Sequence, residues 1–211
     1  MNKYILATLL MIVISVIGIN SAKGMHDNNL HVVVCDVGQG DGIFIQTPRN
    51  NSFLIDAGPD AKIEKCLNKR KPFFDRQLNG AFVSHFHADH IAGFMPIFKS
   101  FAVNTIIKNE LNYPSPEKKE FEVQALAETK DIQEVWQGDS INIEPEVSMH
   151  VLWPKETSWN RSNGNWEAYL ADFNDSSLVL LLKYKQSAVL LSGDVGTSIL
   201  DSIANELQFK S

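Results

Sequence analysis

Within the stretch Ser84-His85-Phe86-His87-Ala88-Asp89-His90, three imidazoles and a carboxylate fall in six residues, directly after the strand-like run Ala81-Phe82-Val83. Side chains alternate in an extended segment, so His85 and His87 face the same side. Asp89 and His90 follow where the chain turns toward a helix at Ile91-Ala92-Gly93-Phe94. This layout offers one cation a pair of ring nitrogens and a second cation a carboxylate oxygen and a nitrogen. Neutral imidazole with carboxylate suits zinc, and also manganese or iron. The alternative reading is a surface loop rich in histidine. The chain holds only six histidines, and mixed nitrogen and oxygen donors rarely cluster by accident.

Other acids sit at strand ends. Asp56 closes Phe53-Leu54-Ile55 ahead of Ala57-Gly58-Pro59, and Asp194 follows Leu191-Ser192-Gly193. Taken alone, both read as turn residues. Gly38-Gln39-Gly40-Asp41-Gly42 reads as a tight turn between two strands. No helix with a lysine follows it, so a phosphate-binding P-loop is excluded.

The elements that must position these residues alternate between β-rich pairs and helices. His31–Asp36 is β-branched and reads as a buried strand, with Ile43–Gln46 returning beside it. Further strands are expected at 53–55, 81–83, 104–108, 132–136, 149–153, 178–184 and 188–191. Helices are expected over 61–69, over 91–101 with an interruption at Pro96, over 117–129, and over 199–207. The third of these turns Phe121, Ala125 and Leu126 to its apolar side. His150 lies inside a strand and is expected to be structural. Residues 157–175, polar and aromatic, read as a long loop. The pattern gives an α/β protein with mixed sheets.

The length, 211 residues, suits one domain with a sizeable core. Nineteen basic against twenty-five acidic residues give a net charge of −6, so no broad basic surface for duplex DNA is evident. Lys3 precedes an apolar run, Tyr4 to Ile19, that ends in Asn20-Ser21-Ala22. Residues 1–22 therefore read as a secretory signal peptide or a retained membrane anchor, and the remainder as exported. Any membrane contact would run through that segment alone. Export permits a disulfide, but Cys35 and Cys66 are expected to be two separate buried thiols.

The His85–His90 stretch matches the HxHxDH signature of the metallo-β-lactamase-fold hydrolases. From about Leu30 the chain resembles one branch of them, the soluble hydrolase domain of ComEC-type DNA-uptake proteins and its free-standing relatives. The supporting pieces, in the family's order, are Asp36-Val37-Gly38-Gln39-Gly40-Asp41, Leu54-Ile55-Asp56-Ala57-Gly58, Asn174-Asp175-Ser176-Ser177-Leu178-Val179-Leu180 and Leu191-Ser192-Gly193-Asp194. The resemblance implies a four-layer αββα sandwich over 30–211, with the site at one edge between two sheets and the Gly38–Gly42 loop beside it. It implies two divalent ions, zinc first and manganese or iron as substitutes. His85 and His87 would hold one, Asp89 and His90 the other, with Asp194 bridging. Asp56 would hold a ligand imidazole in one tautomer, the alternative being a turn cap. Asp89 would also orient the attacking water.

The branch implies a phosphodiester substrate, small molecule or nucleic acid, and so an exported phosphodiesterase or nuclease. Hydrolysis of a thioester, lactone or β-lactam stays open, as does a non-catalytic metal-binding domain, because fold does not fix substrate. The chain departs from the family in two places, and the first is that the isolated middle histidine of true β-lactamases is not evident. The family's late His-His-Gly-Ser segment has no counterpart before Ser211, so the chain resembles a member incomplete at its C-terminus, with weak activity expected.

Overall fold

The computed structural model describes residues 3–22, 27–109, 115–156 and 173–208. Two β-sheets lie face to face. The first has six strands in the order β1 (His31–Val34), β2 (Ile43–Gln46), β3 (Ser52–Ile55), β5 (Gly80–Phe82), β7 (Thr105–Lys108) and β8 (Asp131–Glu134). β1 to β3 pair antiparallel, and β3, β5, β7 and β8 run parallel. The second has four antiparallel strands in the order β12 (Ser187–Leu191), β11 (Val179–Tyr184), β10 (Val147–Trp153) and β9 (Ser140–Glu144). A short parallel pair, β4 (Gln77–Leu78) and β6 (Ala102–Val103), forms a separate two-stranded sheet.

The strand period of two explains the layers. Along β2 and β3, Ile43, Ile45, Phe53 and Ile55 point between the sheets and meet Met149, Val151, Leu180 and Leu182 of β10 and β11. Phe44 and Leu54 point the other way, into a second cluster under α2 (Lys62–Arg70), α4 (Phe94–Ser100) and α5 (Pro116–Glu128). Buried on both faces, these strands read as unbroken apolar runs. A third cluster joins Val179 and Trp153 to Ile199 and Ile203 of α6 (Thr197–Gln208), which covers the outer face of the four-stranded sheet. The result is helix, sheet, sheet, helix: an αββα sandwich. Phe121 sits among Phe86, Phe94 and Phe98, so truncating it to alanine would cost about 3–5 kcal/mol.

Several expectations are corrected. Cys35 and Cys66 are bonded to each other, tying the end of β1 to α2. β1 is the outermost strand of its sheet, not a buried one, and Val34 is 76% exposed. The break in the helix over 91–101 falls before α4, at Ala92-Gly93, between α3 (Ala88–Ile91) and α4. Pro96 sits in the first turn of α4, where a missing N–H costs nothing. On α5, Leu126 is 65% exposed, and the buried side belongs to Lys118, Phe121 and Ala125. The Lys118 ammonium lies 4.7 Å from the Phe86 ring centroid. Strand β9 was not expected, because Asn142 and Glu144 interrupt its apolar residues. The apolar N-terminal run forms a helix, α1 (Lys3–Ala22), whose side chains from Tyr4 to Ile14 are exposed. No helix among the described residues is long and apolar enough to cross a membrane. Most of the loop over 157–175 lies outside the described residues; its end, Phe173–Ser176, is a 3-10 turn.

Candidate metal centre

Parallel strands β3 and β5 end at the same edge of the sheet, which brings Asp56 and the segment Ser84–His90 together. Ligands collect at the carboxyl ends of such strands. The edge is held in place by backbone bonds: Asp56 N–H donates to Phe82 O, Ala57 N–H to His90 O, and Gly93 N–H to Gly58 O. A Cβ at Gly93 would lie 1.9 Å from Ala57 O, so only glycine lets the chain leave α3 this close to β3. The second sheet meets the same edge where Leu178 N–H donates to Ser84 O at 2.8 Å. Asn109, at the end of β7, donates from Nδ2 to Ser176 O.

Asp56 is almost fully buried and holds a left-handed backbone, φ 53°. Such a conformation in a residue other than glycine is strained and persists where the surroundings require it. Its carboxylate caps no following turn. It accepts from Ser84 N–H at 2.8 Å, from Ser84 Oγ–H, and from His90 Nδ1–H at 2.8 Å. These bonds set two tautomers. His90 carries its proton on Nδ1. Ser84 gives its hydroxyl proton to Asp56, so Ser84 Oγ accepts from His85 Nδ1–H at 3.0 Å. Both imidazoles are therefore held through Nδ1 and turn Nε2 toward the edge. Ser177 Oγ lies 3.1 Å from His85 Nδ1 and also accepts from Asp194 N–H at 3.2 Å. One serine thus ties the Asp194 loop to the His85 ring.

The donor atoms converge. His85 Nε2 and His87 Nδ1 are 3.0 Å apart. Two nitrogens on one tetrahedral zinc would stand about 3.3–3.4 Å apart, given Zn–N of about 2.0–2.1 Å. His85, His90 and Asp194 form a group whose donor atoms all lie within 4.8 Å of one another. Asp194 Oδ2 is 3.3 Å from His90 Nε2 but not aligned for a hydrogen bond, and that buried nitrogen has no hydrogen-bond partner. A fully buried ring nitrogen left unpaired is costly unless something else meets it. The residues fit a divalent ion on that observation and on their donor types. Asp89 starts α3, half-buried beside the cluster. Among the described residues, no group of three with every donor pair within 4.8 Å includes His87 or Asp89. His150 is remote from these groups, on β10, with Nε2 2.9 Å from Ser148 Oγ.

Charge follows the same geometry. Burial and the neighbouring His90 and His87 hold the His85 imidazole down at about 3. Burial also disfavours charge on His90. The hydrogen bond and charge of Asp56, with Asp194 and Asp89 behind it, outweigh burial and lift His90 to about 9. The Asp41 carboxyl is raised by burial and by the carboxylates of Asp56, Asp194 and Asp89. Ser84, Ser177 and Asn109 carried no role in the sequence reading. Ser177 stood in the Asn174–Leu180 piece of the resemblance, which was the only signal for it.

The sequence matches the metallo-beta-lactamase superfamily over residues 35–199. No curated protein matches the chain. Among solved structures, it is similar to zinc-bound PqqB from Methylobacterium extorquens, at 10% identity and TM-score 0.47, covering 71% of this chain and 47% of that one. A metallo-beta-lactamase with a HARLDQ motif from Cronobacter sakazakii is 14% identical with TM-score 0.51, covering 76% of this chain and 58% of that one. CmlA, a diiron beta-hydroxylase from Streptomyces venezuelae, is 15% identical with TM-score 0.51, covering 83% and 32% respectively. The chain spans less than two thirds of the length of each of these proteins, and at such identities the likeness concerns the fold. With the superfamily match covering most of the sequence, and the sandwich and its histidine-rich edge in place, this chain belongs to the metallo-beta-lactamase superfamily.

Proposed function

We propose that the protein is an exported metal-dependent hydrolase acting on a phosphodiester. The observation that carries the metal-dependent part is the relay from Asp56: directly to His90, and through Ser84 to His85, so that both rings are held through Nδ1 and turn Nε2 toward Asp194. Protein groups that fix a ring's tautomer from behind are what a metal-binding histidine needs. His85 and His87 would hold one ion, Asp89 and His90 the other, with Asp194 shared. Zinc suits this donor set, as do manganese and iron. Bound divalent ions supply Lewis acidity, which makes water a nucleophile at neutral pH and neutralises charge on the leaving group. Asp89, half-buried at the start of α3, would accept a hydrogen bond from the attacking water and orient it. Asp56 and Ser177 keep the rings from rotating as charge develops.

Two observations support an anionic substrate outside the cell. Lys62, Lys65, Lys69 and Arg70 line one cleft with Asp36, and Lys62 Nζ reaches Val37 O at the root of the Gly38–Gly42 turn. The Cys35–Cys66 bond suits an oxidising compartment, and the apolar N-terminal run suits export. The test is a substrate panel of bis-nitrophenyl phosphate, linear DNA, a thioester, a lactone and nitrocefin, run with zinc and with manganese. Turnover of the phosphodiesters, lost in His85→Ala/His87→Ala, is expected. Turnover confined to nitrocefin, the thioester or the lactone would replace the substrate class. No turnover with metal bound would favour a binding domain.

A further inference from the structure

The Gly38–Gly42 turn between β1 and β2 carries a carboxylate that the proposed mechanism does not use. Gly40 has φ +69°, and a Cβ there would lie 1.9 Å from the carbonyl oxygen of Asp89. The turn therefore packs directly on the backbone of the residue assigned to the second ion. On its other side Asp41 O accepts from Gly58 N–H at 2.8 Å, next to Asp56. Held between these two contacts, the half-buried Asp41 places a carboxylate oxygen within 4.8 Å of one from Asp56 and of a His90 ring nitrogen.

Of that trio, Asp56 is spent on Ser84 and on His90 Nδ1, which leaves the Asp41 carboxylate unspent beside the His90 ring. His90 is fully buried, and its Nε2 is the unpartnered nitrogen. Among the described residues no lysine or arginine pairs with Asp41, Asp89 or Asp194, and no backbone N–H is capped by the Asp41 side chain. A structural turn aspartate would have such a partner. Carboxylates gathered around one buried imidazole, with no lysine or arginine beside them, favour a cation there.

We infer that Asp41 is a protein donor to the second ion, adding an oxygen to Asp89, His90 and the shared Asp194. The inference rests on the two-ion reading proposed for the site. It also gives the β1–β2 turn a function, which is to bring a carboxylate to the second position. The second position would then take three oxygens and one nitrogen, whereas the first takes two nitrogens and one oxygen.

The test is zinc titration of the full chain, metal-stripped, against a chromogenic chelator, with Asp41→Asn beside wild type and melting curves with and without zinc. Wild type is expected to bind two zinc ions. Asp41→Asn should keep the first affinity and lose about 10- to 100-fold in the second. Without metal, Asp41→Asn should melt at or above wild type, because a repelling charge is gone; its rise on adding zinc should be smaller. An unchanged second affinity overturns the inference and leaves the two-ion reading intact. A metal-free Asp41→Asn that melts below wild type marks a structural turn residue and overturns it as well. Wild type that binds no zinc would remove both.

Discussion

Asp56→Asn isolates the charge that organises the site. Asparagine tolerates the left-handed backbone that Asp56 adopts at φ 53°, so the turn itself need not change. What changes is the buried pair with His90, whose Nδ1 lies 2.8 Å from Asp56 Oδ2 with both side chains essentially out of solvent. In the metal-free protein this pair contributes most to lifting His90 from 6.5 to about 9. A raised imidazole stabilises the fold fully below its unfolded value, and that stabilisation fades as pH rises through the folded value. The difference between about 9 and 6.5 corresponds to about 3 kcal/mol. A further cost of about 1–3 kcal/mol, independent of pH, comes from facing an amide N–H₂ toward Ser84 or His90. The gap between wild type and variant should therefore be widest below about pH 6.5 and narrow by about 3 kcal/mol above about pH 9. For a domain of this size that is a difference in melting shift of about 6–12 °C. The assay is urea unfolding of metal-stripped protein across that range, with the His90 ring followed by NMR. A gap that stays flat with pH, or a His90 titration unmoved by the substitution, would refute the pairing.

The same structure fixes three other outcomes. Replacing Cys35 and Cys66 by serine opens a bridge spanning 31 residues and should cost about 4 kcal/mol in urea unfolding, while wild type shows no reactive thiol; equal midpoints would mean the bridge does not form. Gly193→Ala puts a Cβ 2.9 Å from that of Ser177 at φ +50°, so it should lower stability by about 1–3 kcal/mol and weaken metal binding by displacing Asp194; unchanged melting and metal content would show the loop yields freely. Because His90 is charged near neutral pH without metal, binding must release its proton. Calorimetry in buffers of different ionisation enthalpy should show that release, with apparent affinity climbing up to about pH 9 and then levelling; no buffer dependence would mean His90 is already neutral.

The parts of the fold legible in the sequence were those where one period dominates. The apolar runs of β2, β3, β5, β11 and β12 and the helical spacing of α2, α5 and α6 identify themselves. β9 did not, because an outer strand can alternate Asn142 and Glu144 with its isoleucines. β1 looked buried because three valines in a row say nothing about whether a strand is central or outermost. The histidine stretch was legible as donors, and where the structure puts His85, His87 and His90 follows from β5 ending beside β3. The partners behind those donors were not legible. Ser84, Ser177 and Asp41 are ordinary turn residues until the two sheets meet, and Leu178 N–H on Ser84 O is a contact between segments far apart in sequence. The disulfide was invisible for the same reason: spacing does not tell whether a strand end and a helix face approach.

The most direct measurement is anomalous diffraction at the zinc edge from crystals of the full chain grown with zinc. Two peaks about 3.5–4 Å apart are predicted, one at about 2.0–2.1 Å from nitrogens of His85 and His87, the other at that distance from His90 Nε2 and within reach of Asp89, with Asp194 touching both. A map with no peak within ligand distance of His85, His87 or His90, while zinc is bound elsewhere or not at all, would contradict the account.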